Sequence, residues 1–176
     1  KVKRIIFCSS MARYGNLKPP FKEEDKPNPI DPYGISKLAA EKILINICQV
    51  HNIEYNIAIP HNIIGSKQRY DDPFRNVASI MVNLMLQNKQ PIIYGDGEQK
   101  RSFSDISDCI FCIDKLVTDE DIKSEIVNIG PDDNYISINE LYKLISNKLK
   151  FNKEPRYFPD RNCRLCRCYF ASFGVS

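Results

Sequence analysis

The chain has 176 residues, of which 43% are hydrophobic and 27% are charged, and its formal net charge is +3. This composition is typical of a globular protein that buries a core, and it excludes a disordered chain. Acidic residues are interspersed among the basic ones, and only 156–167 is locally basic, so we expect no nucleic-acid partner. No run of about 18 apolar residues occurs, which predicts no membrane span.

The first residues and the cysteines indicate a cytoplasmic protein. The stretch KVKRIIFCSS has too short an apolar run for a signal peptide and predicts a strand. Seven cysteines, an odd number without a secretory signal, favour reduced thiols. Two C-x-x-C pairs, Cys109/Cys112 and Cys163/Cys166, are compatible with zinc, but about fifty residues separate them and the first lies on an apolar helical pattern. We therefore expect no structural metal.

The hydrophobic pattern predicts an α/β protein. A strand at 3–8, a helix at about 33–50 and a strand at 54–59 follow one another, which is typical of a parallel sheet. A proline-rich surface loop is expected between the strand at 3–8 and the helix at about 33–50. Further along, the pattern predicts a helix at 74–88, a Gly-Asp-Gly hairpin at 91–105, a helix in ISDCIFCIDKLV, a strand in EIVNIG and a capped helix in SINELYKLISNKL. No periodicity is convincing after Pro159.

The pair Tyr33-x-x-x-Lys37 is the strongest candidate for chemistry. Helical residues four apart share a face, so the ammonium would favour the ionised phenol and make it a proton acceptor. The same spacing occurs at Tyr14 and Lys18, where Gly15 and two prolines end any helix. Tyr33 and Lys37, by contrast, lead into good helix formers with apolar residues at helical spacing. Only Tyr33 and Lys37 are therefore expected on a helix.

Other polar residues have two interpretations each. Ser10 follows the first strand, where it is either a turn residue or a group at the ligand-binding end of a parallel sheet. Asn62 is either a turn residue or a functional residue, and Arg101 is either a sheet-edge charge or a functional residue. His61 is expected to be a packed neutral histidine. Asp96, between two glycines, is expected to serve the hairpin turn.

Several stretches together resemble the extended short-chain dehydrogenase/reductase family, in particular its NAD-dependent sugar-nucleotide epimerases and dehydratases. FCSSMARYG resembles the family's serine-rich strand end, and NPIDPYGISKLAAEK resembles its catalytic helix. PHNIIGSKQ and PIIYGDGEQKRSFSDISD are similar to later family segments, and all four occur in family order. The resemblance, which includes UDP-glucose 4-epimerases, covers residues 1 to about 161.

The resemblance implies a set of roles. Tyr33 would be the catalytic base, and Lys37 would lower the pKa of its phenol. Both residues would contact NAD. Ser10 would hydrogen-bond the reacting sugar oxygen. The implied contacts to the nucleotide-sugar substrate are Ser10, Asn62, Arg101 and Arg161. The complete enzyme would be a homodimer that removes hydride from a sugar carbon and returns it.

The resemblance also implies how the chain is organised. Residues 1–65 would be the second half of a Rossmann-like doubly wound domain, and 66–176 mainly a smaller α/β substrate-binding lobe, with 106–130 returning to the sheet. No G-x-G-x-x-G turn occurs, so we expect the chain to lack the NAD pyrophosphate cradle. Met11 and Ala12 replace an Asp-Glu pair of the dehydratases, which favours an epimerase. The alternative is an inactive fragment or degenerate relative that only binds a nucleotide sugar or pairs with another subunit.

Overall fold

A computed structural model describes residues 2–69, 76–131 and 135–159. The helices and strands alternate as expected for an α/β protein. In chain order the strands and helices are β1 (Arg4–Cys8), α1 (Pro32–His51), β2 (Glu54–Pro60), β3 (Ile63–Ile64), α2 (Val77–Leu86), β4 (Ile92–Tyr94), β5 (Lys100–Arg101), β6 (Ser104–Asp105), α3 (Ile106–Thr118), β7 (Ile126–Ile129), β8 (Ile136–Ser137), α4 (Ile138–Leu149) and β9 (Arg156–Phe158). A short 3-10 turn, Met11–Arg13, follows β1. Among these described residues, no helix is both long and apolar enough to cross a bilayer.

The chain divides into two compact units. The first contains residues 1–63 and 104–132, and the second contains 64–103 and 133–176. The first unit is built on a parallel sheet of order β1-β2-β7. This confirms the predicted α/β class with a parallel sheet. The functional division into a Rossmann-like half and a substrate-binding lobe stays a prediction.

Helices cover both faces of the sheet in the first unit. Alternate residues of a strand point to opposite faces. Phe7 packs in a cluster with Ile45 of α1, whereas its neighbour Ile6 packs in a cluster with Cys109 and Leu116 of α3. The central strand β2 is consequently buried on both sides, with residues 57–59 completely inaccessible.

The sequence sets both ends of α1. Asp31 accepts a hydrogen bond from the Gly34 amide at 2.7 Å, and Pro32 occupies the first helical position, where its missing N–H costs nothing. Asn52 ends the helix in the left-handed conformation with φ 51°. The helix therefore begins at the residue before Tyr33, as the pattern predicted to within one residue.

The second unit packs α2 against α4. Met81 and Met85 meet Ile138, Leu141 and Tyr142 in its core. The predicted capping box of α4 is confirmed: the Glu140 amide donates to Ser137 Oγ at 3.1 Å, and the Ser137 amide donates to Glu140 Oε2 at 2.7 Å. Two short strand pairs, β4 with β9 and β5 with β8, complete the unit.

The predicted hairpin at 91–105 is wrong. A turn does occur, with Gly95 and Gly97 at φ 74° and 77°, but β4 pairs with β9 and β5 pairs with β8. The reason is Asn139 of α4, whose side chain donates to the Asp96 carbonyl at 2.9 Å and whose amide donates to the Gly97 carbonyl at 3.0 Å. A Cβ on Gly97 would lie 2.1 Å from Asn139 Oδ1, so this glycine is also needed for close approach. The turn binds a helix instead of closing a hairpin.

Candidate functional site

Ser10 lies where β1 ends, in the first unit. The preceding amide, of Ser9, still donates to the Ala58 carbonyl of β2 at 2.7 Å. Ser10 then caps the 3-10 turn, because its Oγ accepts a hydrogen bond from the Ala12 amide at 3.2 Å. Accepting that bond leaves the hydroxyl hydrogen available for donation. The serine is thus held at the carboxyl end of a parallel strand, where ligands bind in such sheets.

Lys37 joins the helix that carries Tyr33 to the end of the same strand. Its Nζ donates to the Cys8 carbonyl at 2.9 Å. The same nitrogen lies 5.8 Å from the centre of the Tyr33 ring and 5.2 Å from that of Phe7. The Tyr33 side chain is 47% exposed, so its phenol remains accessible. The structure therefore brings Tyr33 and Lys37 together beside the strand end that leads into Ser10.

Gly34 allows the start of α1 to approach the turn after Ser10. A Cβ at this position would lie 2.6 Å from the Ala12 carbonyl oxygen and 3.1 Å from Pro29 Cβ. Such distances are too short for any residue with a side chain unless the backbone moves. The glycine between Tyr33 and Lys37 is therefore a packing requirement of the candidate site.

Two buried charges lie beside these residues, and the sequence analysis did not single them out. Glu41 is 2% exposed and accepts a hydrogen bond from the Ser9 hydroxyl. Arg13 is 4% exposed, and its Nη1 lies 3.3 Å from Glu41 Oε2. The available signal was the position of Glu41, four residues after Lys37 and eight after Tyr33, which places an acid on the same helical face.

Asn62 lies just beyond β2 in the first unit. Its φ of 36° is in the left-handed region that asparagine tolerates, and its carbonyl accepts from the Ser104 amide at 3.4 Å. The neighbouring His61 is partly buried, and burial lowers its pKa, so it is the neutral histidine that the sequence predicted. Within the described residues, His61 Nε2 is buried without a hydrogen-bond partner.

Tyr14, the other tyrosine with a lysine four residues later, is structural. It is inaccessible to solvent, stacks on Phe21 with ring centres 4.8 Å apart, and donates its hydroxyl to Asn128 Oδ1 at 2.9 Å. Burial raises its pKa above the ordinary value, which makes it a poor proton acceptor near neutrality. The contrast with the accessible Tyr33 agrees with the distinction drawn from the sequence.

The remaining candidates are two arginines and the cysteines. Arg101 belongs to the second unit, where it is exposed and its Nη1 donates to the Lys100 carbonyl at 2.8 Å. Arg161 lies outside the described residues. Cys109 is buried in the core of the first unit, and burial raises the pKa of its thiol. No group of three or more potential ligands in the described part of the chain could hold a metal ion.

The residues present fit one part of NAD. An ammonium has three donors, and the Cys8 carbonyl takes one from Lys37, so two remain for hydroxyl groups such as those of a ribose. The exposed Tyr33 ring lies beside that ammonium. By contrast, no glycine-rich turn for a pyrophosphate occurs in the sequence. Lys37 thus has donors for ribose hydroxyls, and the Tyr33 ring lies beside them.

Comparison with known proteins gives consistent matches. A Methanocaldococcus jannaschii protein named "Putative UDP-glucose 4-epimerase" is 35% identical over 172 residues, which are 96% of this chain and 54% of that protein. The crystal structure of a Thermotoga maritima UDP-glucose 4-epimerase with UDP-glucose matches with a TM-score of 0.83 at 32% identity, over 92% of this chain and 52% of that one.

A Bacillus cereus UDP-glucuronic acid 4-epimerase, solved in complex with NAD, matches with a TM-score of 0.77 at 27% identity, over 90% of this chain and 50% of that one. The chain therefore spans about half the length of the relatives it matches. The model of the NAD dependent epimerase/dehydratase family matches residues 1–130, which include Ser10, Tyr33 and Lys37. The chain belongs to the NAD dependent epimerase/dehydratase family.

Proposed function

We propose that these residues belong to an NAD-dependent epimerase that acts on a nucleotide-diphosphate sugar. One observation carries the proposal. The Lys37 ammonium lies 5.8 Å from the Tyr33 ring and donates to the Cys8 carbonyl at the end of β1, two residues before Ser10, so a phenol and a cation lie beside the strand end that the Ser10 hydroxyl follows. The UDP-sugar epimerases among the relatives support the substrate class.

Each side chain has a role in this proposal. NAD, when bound, supplies the hydride acceptor and donor that an epimerase needs. Tyr33 removes the proton from the sugar hydroxyl, and Lys37 stabilises the negative charge on the phenol oxygen while it holds the ribose. Ser10, oriented by the Ala12 amide, donates a hydrogen bond to the reacting sugar oxygen. As the resemblance implies, Asn62 and Arg101 contact the nucleotide diphosphate, whose negative charge suits arginine, and Arg161 contacts a phosphate or a ribose.

The turn after Ser10 favours epimerisation over dehydration. Elimination of water needs a general acid and base near the sugar. Here Met11 is packed in the apolar cluster around Tyr14, and the Ala12 carbonyl faces Gly34. Neither side chain can donate or accept a proton. We therefore propose that the sugar is oxidised and reduced in place, with no loss of a hydroxyl group. We propose separately, from the sequence analysis, that the complete enzyme is a cytoplasmic homodimer.

The competing proposal is a module that binds a nucleotide sugar or pairs with another subunit and has no activity. It applies to residues 1–176 taken alone, in which no glycine-rich turn occurs. Hydrogen bonds from Lys37 contribute about 0.5–3 kcal/mol each, and each 1.4 kcal/mol is about tenfold in affinity. Residues 1–176 alone are therefore expected to bind NAD no better than about millimolar by calorimetry.

The test replaces Tyr33 and Lys37 in the protein expressed from its complete coding sequence. Tyr33→Phe removes only the hydroxyl, so turnover of the UDP-sugar should be abolished while NAD binding is nearly unchanged. Lys37→Ala should weaken both. Lys42→Ala, an exposed lysine on the same helix, is the control and should change neither. Full turnover by Tyr33→Phe would overturn the proposal, and an inactive but sugar-binding parent protein would favour the competing one.

A further inference from the structure

A buried ion pair lies directly behind the candidate site. Glu41 and Arg13 are 2% and 4% exposed, and Nη1 of the arginine lies 3.3 Å from Oε2 of the glutamate. The other carboxylate oxygen, Oε1, accepts a hydrogen bond from the Ser9 hydroxyl. One carboxylate thus contacts two side chains of the segment that follows β1.

These two contacts lie on either side of Ser10. Ser9 immediately precedes it, and Arg13 ends the 3-10 turn that Ser10 caps. Glu41 belongs to α1, the helix of Tyr33 and Lys37, and follows Lys37 by one turn. Two further contacts join α1 to the same segment. Lys37 donates to the Cys8 carbonyl, and Gly34 packs against Ala12. The helix therefore holds the segment before and after Ser10 through three different residues.

Stability alone is a poor reason for such a pair. Removing two charges from water costs about as much as their attraction returns, and apolar residues of similar size often stabilise a core more. The Arg13 guanidinium is also incompletely bonded among the described residues, because its Nε makes no hydrogen bond and its Nη1 contacts Glu41 only as an ion pair without hydrogen-bond geometry. In some proteins such a pair instead sets the relative position of the elements it joins, which here are α1 and the 3-10 turn.

We propose that Glu41 and Arg13 are positioning residues that fix Ser10 relative to Tyr33 and Lys37. The inference rests on the proposed function, in which Ser10 and Tyr33 act on the same sugar oxygen. Neither charged residue touches the substrate. They keep the turn that Ser10 caps packed against α1, so that the Ser10 hydroxyl and the Tyr33 phenol keep one relative geometry.

The first test measures order in the turn and needs no activity. It uses the double variant Arg13→Met/Glu41→Leu, which removes both charges and leaves no unpaired charge buried. Amide exchange at Ala12, Arg13 and Tyr14 should rise at least about tenfold, whereas the amide of Ile57 in the sheet changes less than about threefold. Equal acceleration at all four amides, or no change at any, would overturn the inference even if the enzyme is active.

The second test separates positioning from stability in the protein expressed from its complete coding sequence. Glu41→Gln should lower kcat by about 10- to 100-fold with KM within about twofold. The double variant Arg13→Met/Glu41→Leu removes both charges, so it should fold stably and yet remain slow. Full activity of that double variant would show the pair to be structural only.

A matched control distinguishes this ion pair from ion pairs in general. Glu54→Gln breaks the contact of Glu54 with Arg4 at 2.9 Å and with Lys123 at 2.8 Å, in the same unit but at the start of β2. It should leave kcat and the exchange of the Ala12 amide unchanged. If Glu54→Gln lowers kcat as much as Glu41→Gln, the positioning role is wrong. If no parent activity exists at all, the exchange measurement alone decides the inference.

Discussion

Replacing Gly34 with alanine should damage both stability and turnover. The new Cβ would lie 2.6 Å from the Ala12 carbonyl oxygen, about 0.8 Å inside the 3.4 Å at which ordinary contact begins. Alanine gains at most about 1 kcal/mol of helix propensity over glycine. Overpacking against a backbone atom, which cannot rotate away, costs about 2–3 kcal/mol. The net loss of unfolding free energy should be about 1–2 kcal/mol.

For a chain of this length that loss corresponds to a melting temperature lower by about 2–8 °C. The effect on catalysis should be larger, because the carbonyl that must move belongs to the turn capped by Ser10. A displacement approaching 1 Å between reacting groups costs up to about 100-fold in rate, so kcat should fall by about 10- to 100-fold. The assays are thermal unfolding of the chain and turnover of the UDP-sugar by the complete protein.

Ser36→Ala is the control for the Gly34 variant, since Ser36 is exposed in the same part of α1. Its melting temperature should change by less than about 2 °C, as is usual for surface substitutions. A Gly34→Ala protein that is more stable than its parent and turns over normally would refute the close packing of α1 on the turn.

Two further predictions concern titration and thiol reactivity. Burial lowers the pKa of His61 below its ordinary 6.5, so the unfolded chain binds the proton first and stability should fall as pH decreases from 7 to 5. Urea midpoints measured over that range should fall less in His61→Gln than in the parent or in the exposed His51→Gln, and identical slopes would contradict the burial of His61. Among the four described cysteines, Cys8 is exposed whereas Cys48 and Cys109 are buried, so brief iodoacetamide treatment followed by mass spectrometry should modify Cys8 first. Faster modification of Cys109, whose thiol pKa is raised by burial, would contradict the packing of α3 on the sheet.

Local signals were sufficient for α1 and α4. Pro32, the helix formers and the apolar spacing after Tyr33 predicted where α1 begins, and the Ser137-x-x-Glu140 pattern predicted the cap of α4. These features act within one turn of helix, so the sequence alone contains them. The pairing of Tyr33 with Lys37 follows from the same helical geometry.

Long-range contacts explain what the sequence did not reveal. The Gly-Asp-Gly turn was predicted from its residues, but its partner, Asn139, is about forty residues away, and the expected hairpin does not form. The strand β9 has only three residues, and its pairing with β4 is likewise non-local. The burial of Arg13 with Glu41 depends on α1 docking against the turn, so the spacing of Glu41 indicated its helical face but not its partner.

The most direct test of the central claim follows the sugar itself. The protein expressed from its complete coding sequence is incubated with NAD and, in turn, UDP-glucose, UDP-N-acetylglucosamine and UDP-glucuronic acid, and the products are separated by chromatography. One of these sugars should be converted to its C4 epimer, and Tyr33→Phe should not convert it. If none of the three is epimerised by a folded protein that binds NAD, the assignment of Ser10, Tyr33 and Lys37 to an epimerase is wrong.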